Sequence, residues 1–284
     1  MSVLDNPKYR EMELVPGEYV PDTGLDYPVS DPLYRMLPVK KVRDYKNDET
    51  YPFLDDSLSF KIKRAFAYGF VVNVCIRAIC YLFYGLRIEG RENLKKNKEL
   101  LKGGVVSVSN HCFPFDATCL YYAVKRRMYI PMLADLFTGS NWWLLKYFGG
   151  VPLADGSMSA TKKFNAAFDE YNRRGKWVHI FAEARSWPFY KPLRPFQKGS
   201  FTMAYKWGCP ILPMNLSYRP RTGFYKLFGS NKPLITVRIG EPIIPDTTQP
   251  RKEEVERLLR ETHASICKLA GIVKNPWPAI WNEN

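Results

Sequence analysis

Three histidines stand among 284 residues, and one has a carboxylate at a spacing that could do acid–base chemistry. His111 follows Asn110 after the apolar run Val105 to Ser109, and Asp116 comes after four intervening residues. An imidazole held at one nitrogen by a carboxylate can take a proton from a hydroxyl with the other. Pro114 disfavours the α region for Phe113, so His111 belongs on a loop. A continuous helix would set the two side chains about 140° apart. A turn leading into a helix that begins near Asp116 brings them together, and an Asp at a helix start is stabilised as the anion. The same spacing equally suits an ordinary strand-to-helix turn, with Asp116 a helix cap and His111 a satisfied polar residue.

A second region runs from Phe181 to Gly199 and begins where a strand should end, the usual place for a site in α/β proteins. It carries one carboxylate, Glu183, and four cations, Arg185, Lys191, Arg194 and Lys198. That composition suits the grip of a phosphate or another anionic headgroup, and it also suits a solvated basic loop. Other chemistries find less support. Cys112 adjoins His111, but adjacent side chains rarely aim at each other, and a buried apolar thiol is expected. His179 lies within a strand, where packing is its expected role, and His263 falls on an exposed-looking helix with none assigned. No G-x-S-x-G elbow, phosphate-binding P-loop, G-x-G-x-x-G or H-E-x-x-H is present.

The elements that must hold these residues alternate after Gly90. Strands are expected over 105–109, 129–133, 151–153, 177–181, 211–217 and 234–239. Helices are expected over 117–124, 142–148, 160–174, 200–207 and 251–269. This alternation predicts one α/β domain with a central mixed sheet flanked by helices. Residues 1–59, rich in Pro, Asp and Tyr, predict an extended arm with little core of its own, draped over the folded part. Residues 60–88 hold a basic lead-in, Lys61 to Arg64, and an apolar stretch to Tyr84. That stretch is long enough to span a bilayer, but Asn73 and Arg77 near its middle disfavour a span. A helix lying in the membrane interface fits better, with a buried core helix the alternative.

A net charge of +14 and an aromatic content of 15% imply an anionic partner and an apolar pocket or membrane interface. An anionic membrane surface is expected; nothing resembles a nucleic-acid module. Six cysteines without a C-x-x-C pair, and no secretory signal, predict a reducing compartment.

Five blocks in order carry a resemblance: Asn110-His111 with Asp116, Gly149-Gly150-Val-Pro-Leu153, Phe181-Ala-Glu183, Lys198-Gly199, and Cys209-Pro-Ile-Leu-Pro213. Together they resemble the glycerolipid acyltransferase family, which includes the 1-acylglycerol-3-phosphate acyltransferases, over roughly residues 60–250. The resemblance implies acyl transfer from acyl-CoA or acyl-carrier protein to a lysophospholipid hydroxyl, with 1-acyl-sn-glycerol-3-phosphate the first acceptor to consider. It implies His111 and Asp116 as the catalytic pair, with no metal or cofactor. Asn110, Glu183, Arg185, Arg194, Lys198 and Gly199 are then the expected substrate-binding residues. It further implies a peripheral or monotopic protein on the cytoplasmic face of the cell membrane. The expected units are an arm (1–59), a membrane-interface helix (60–88), the acyltransferase domain (89–250), and a C-terminal helix and tail (251–284). Two blocks depart from the family. The second usually carries an Arg where Ala154-Asp155-Gly156 stands. The third usually reads F-P-E-G-T-R, against Phe181-Ala-Glu183-Ala-Arg185 here. Both departures concern acceptor recognition, so a different lyso-lipid acceptor, or a non-catalytic lipid-binding module on the same fold, is the alternative.

Overall fold

The computed structural model describes residues 11–228 and 232–281. Its strands are β1 (Glu13–Leu14), β2 (Arg87–Glu89), β3 (Val105–Ser109), β4 (Met128–Met132), β5 (Gly150–Pro152), β6 (Trp177–Phe181), β7 (Ile211–Arg219), β8 (Leu234–Ile239) and β9 (Ile272–Lys274). Its helices are α1 (Leu58–Phe83), α2 (Arg91–Lys96), α3 (Asp116–Val124), α4 (Trp142–Phe148), α5 (Met158–Arg173), α6 (Gly199–Trp207) and α7 (Arg251–Leu269). The seven-stranded sheet has the order β2-β8-β7-β3-β6-β4-β5. Strands β7, β3, β6, β4 and β5 run parallel, while β8 is antiparallel to β7 and carries β2 parallel to itself. The expected mixed sheet is therefore present.

Side chains alternate between faces along a strand, and β3 shows how that builds two layers. Val106 and Val108 pack with α6 and α7, and their β6 partners Val178 and Ile180 meet α5. Val105 turns the other way, into a core shared with α1 and α3. The expected strands and helices after Gly104 all appear, most within two residues of their expected ends. Gly149 closes α4 at φ 122°, and a Cβ there would lie 2.2 Å from the Met128 carbonyl oxygen. Only glycine lets β5 approach β4 this closely.

Helix α1 starts behind Ser57, whose hydroxyl accepts from the Phe60 N–H. It is α-helical to Phe66 and wound as π-helix over Ala67–Ile76 and Ile79–Phe83. The helix is long and apolar enough to cross a bilayer. One side of it, Phe60, Ala67, Tyr68, Val72, Ile76 and Cys80, is nonetheless buried. The sheet also begins inside the expected interface segment, since β2 at 87–89 pairs with β8.

Residues of the arm are tied closely to the rest of the chain. β1 pairs with β9, Glu18 bridges buried Lys191 and Arg238, and Tyr27 packs with Trp187, Tyr190 and Trp277. One expectation fails: His263 is buried, not exposed. It follows Val255 and Leu259 at intervals of four, so it lies on the face of α7 that meets the sheet and packs on Phe196.

Candidate active site

β3 and β6 are neighbours in the sheet and end together, Ser109 opposite Phe181. The loops that follow them build the site. His111 leaves β3 on a loop, and α3 begins at Asp116. The imidazole Nδ1 lies 2.5 Å from Asp116 Oδ2, while Oδ1 accepts from the Ala117 N–H at 2.7 Å. The carboxylate thus spans the helix start and the ring, with Asp116 the first residue of α3 and not its cap. Phe181 stacks on the ring, centroids 4.1 Å apart and planes 17° apart. Nδ1 is committed to Asp116, and no described residue bonds Nε2 of the half-buried imidazole. Held so, the ring can accept a proton only at Nε2, which is the geometry of a general base.

Glu183 locks the two loops together. Its Oε2 accepts the His111 N–H at 2.8 Å and Arg194 Nη2 at 3.1 Å. Its Oε1 accepts the Arg194 N–H at 2.8 Å. The Trp187 and Phe189 N–H groups donate to the carbonyls of His111 and Cys112, completing the join. Glu183 is 3% exposed and Arg194 1%. Arg194 also donates to the Pro32 and Arg185 carbonyls and lies over the Trp187 ring. Glu183 and Arg194 were expected to meet a substrate; both are instead consumed inside the protein, because each satisfies the other's buried charge.

Asn110 is likewise buried. Its amide accepts from the Leu216 N–H at 2.8 Å and donates to the Leu216 carbonyl at 3.0 Å. The side chain so continues the β3–β7 ladder beyond Ser109 and touches no open space. Lys198 is exposed and paired with Glu256 at 2.9 Å, and Gly199 opens α6. Arg185 differs from these. It is half-buried, its Nε donates to the Leu33 carbonyl, and it has no carboxylate partner among the described residues. Of the expected phosphate-binding cations it is the one near Glu183 with charge uncompensated. Asp155, where the family carries Arg, only caps the Ser157 N–H.

One contact was not foreseen, and one expected packing role takes a definite form. Phe181 began a recognised block, but its stacking on His111 follows only once β6 is placed beside β3. His179, opposite Ser107 in register, lies between the hydroxyls of Ser107 (3.0 Å) and Ser109 (3.3 Å) and meets the Phe181 ring edge-on. Burial, with a smaller contribution from the His111 charge, pushes its pKa down to about 3, so it is a neutral support. Burial also pushes the Cys112 thiol well up, which disfavours a thiolate nucleophile.

Residues 85–217 match the family model described as Acyltransferase. The fold is similar to the crystal structure of the 1-acyl-sn-glycerophosphate (LPA) acyltransferase PlsC from Thermotoga maritima. The TM-score is 0.44 at 23% identity, covering 75% of this chain and 83% of that one. No curated protein matches the chain.

Proposed function

We propose that this chain, whose residues 85–217 match the Acyltransferase family model, transfers an acyl group from acyl-CoA or acyl-carrier protein to a lysophospholipid hydroxyl, with 1-acyl-sn-glycerol-3-phosphate its first acceptor. The observation that carries the reading is His111, bound to Asp116 through Nδ1 and with Nε2 unbonded among the described residues. Nε2 takes the acceptor's hydroxyl proton as that oxygen attacks the thioester carbonyl. Asp116 holds the ring tautomer and stabilises the imidazolium. The tetrahedral intermediate then expels the thiolate, which recovers the proton from Nε2. No covalent enzyme intermediate is needed. Arg185 is the cation suited to the acceptor's phosphate.

The same reading puts the protein on a membrane, the source of its acceptor. Leu58, Ile62, Phe66, Phe70 and Val74 recur every fourth residue along α1, each more than half exposed. With the opposite side of α1 packed into the core, a helix lying in the interface keeps both faces satisfied, whereas a span would strip the core. The turn Gly223–Phe228 packs beside the end of α1 through Phe228 on Phe83 and exposes Phe224 and Leu227.

The decisive experiment incubates purified protein with labelled acyl donor and a panel of lyso-lipids. His111→Ala is expected to abolish transfer while leaving liposome binding intact. Unchanged transfer by that variant would overturn the assignment.

A further inference from the structure

A cavity of about 430 Å³ lies at the opposite end of the sheet from His111, lined among others by Lys61, Arg64, Arg127, Tyr129, Tyr171 and Lys176. Arg127 and Lys176 immediately precede β4 and β6, whose far ends face the site, so one strand length of roughly 16 Å separates cavity and site. Both residues come from basic connections, Lys125-Arg-Arg127 and Arg173-Arg-Gly-Lys176.

The charges in this cavity do not cancel. Its two carboxylates are already engaged, Asp56 by Arg174 at 2.7 Å and Asp55 by Lys146 at 3.8 Å. Lys61, Arg64, Arg127 and Lys176 have no acidic partner among the described residues. Arg64 is the telling one. It is 8% exposed, its guanidinium lies over the Tyr129 ring at 4.5 Å, and Tyr129 stacks on Tyr171 at 3.6 Å. Nη1 donates to the Tyr129 hydroxyl, yet the buried Nε has no partner. A buried guanidinium with no acidic partner leaves its charge for an anion in the cavity to balance. Several cations around one cavity, Arg64 and Arg127 among them with planar guanidinium groups, suit the oxygens of a phosphate.

The mouth adjoins the first turns of α1, where Phe60, Lys61 and Arg64 line the cavity and Leu58 and Ile62 start the exposed stripe. We infer that this cavity binds the phosphate of a membrane-lipid headgroup, separate from the acceptor and seated while α1 lies in the interface. The inference rests on the membrane-docking part of the proposed function. A free phosphate compound shares the same chemistry, so the test separates the two sources.

The assay is co-sedimentation with vesicles of phosphatidylcholine alone and of phosphatidylcholine with phosphatidylglycerol, paired with thermal unfolding in inorganic phosphate. Phosphatidylglycerol is used because it is neither the acceptor nor the product of the proposed reaction. Wild type should bind the mixed vesicles more tightly. Arg127→Glu/Lys176→Glu should lose at least about tenfold of that gain, since each basic residue near an anionic surface is worth about fivefold. Its binding to phosphatidylcholine and its transfer rate in detergent should be unchanged. Arg251→Glu/Lys252→Glu, at the start of α7 and outside the cavity lining, should lose little. Equal losses in the two variants, or none in the first, would overturn the inference. If the first variant loses only protection by inorganic phosphate, the site belongs to a soluble phosphate compound and the lipid assignment fails. If wild type binds neither vesicle, the membrane reading fails, and the phosphate arm alone then decides whether the cavity holds an anion.

Discussion

Replacing Glu183 by Gln separates two roles that a carboxylate in this loop can have. Its oxygens accept three donors, the His111 N–H, the Arg194 N–H and Arg194 Nη2, and both partners of the ion pair are buried. Glutamine keeps the shape but removes the charge, and its NH2 would face a donor at one of the two oxygen positions. Hydrogen bonds to charged groups contribute about 1.5–3 kcal/mol each, and breaking a buried pair on one side costs about 3–5 kcal/mol. For a chain of this length that corresponds to a fall in melting temperature of roughly 5–10 °C. Because Glu183 fixes the backbone of His111, kcat should fall while KM for the lyso-lipid stays near its wild-type value. Adding Arg194→Met to Glu183→Gln removes the orphaned charge, so the double variant should recover part of the lost stability. Its cost should be well below the sum of the two single variants. Thermal unfolding in detergent with steady-state kinetics on both substrates reads each quantity. A variant that melts like wild type but shows a raised acceptor KM would refute this reasoning, because it would place Glu183 on the substrate.

Two further predictions follow from backbone and burial. Ala184 stands at φ 62°, a conformation that costs a residue with a Cβ about 1–2 kcal/mol. Ala184→Gly removes that strain and returns part of it as unfolded-chain entropy, so unfolding should require about 0.5–1 kcal/mol more by denaturant titration; a loss of stability would contradict the strain. Burial lowers His179 to about 3 and His263 to about 4, against about 6.5 in the unfolded chain. Lowered histidine values favour the fold above pH 6.5, and that contribution fades as pH falls toward them. From pH 7 to pH 5 each should remove about 2 kcal/mol. His263→Leu should flatten the fall in melting temperature over that window, and an unchanged slope would show that His263 is not buried neutral.

What could be read from the sequence was what repeats. The runs at 105–109 and 177–181 and the amphipathic spacing of 251–269 are local signals, and each produced the element expected. The arm has no period, so nothing local shows that Glu18 reaches Lys191 or that the Pro32 to Tyr34 carbonyls meet Arg194, Arg185 and Trp187. β1 and β2, of two and three residues, are too short to show alternation, and their partners lie more than a hundred residues away. His263 is a different case. Its spacing from Val255 and Leu259 places it on the buried face of an amphipathic helix whose charged residues suggest exposure.

The third block shows why the proposed catalytic pair was legible while the proposed acceptor contacts were not. His111 and Asp116 are five residues apart, and a helix start between them is enough to join them. Glu183, Arg185 and Arg194 look alike in sequence as members of one basic loop, yet folding sorts them. Glu183 and Arg194 turn inward and neutralise each other, which spends them on the backbone of His111. Arg185 stays at the surface because Ala184, at positive φ, reverses the chain directly after Glu183, and the Arg185 N–H returns to the Glu183 carbonyl at 2.8 Å. The loop can therefore vary around Glu183 without disturbing the base. Under the proposed function, acceptor choice falls to a side chain outside that buried network, and Arg185 is the one the turn presents.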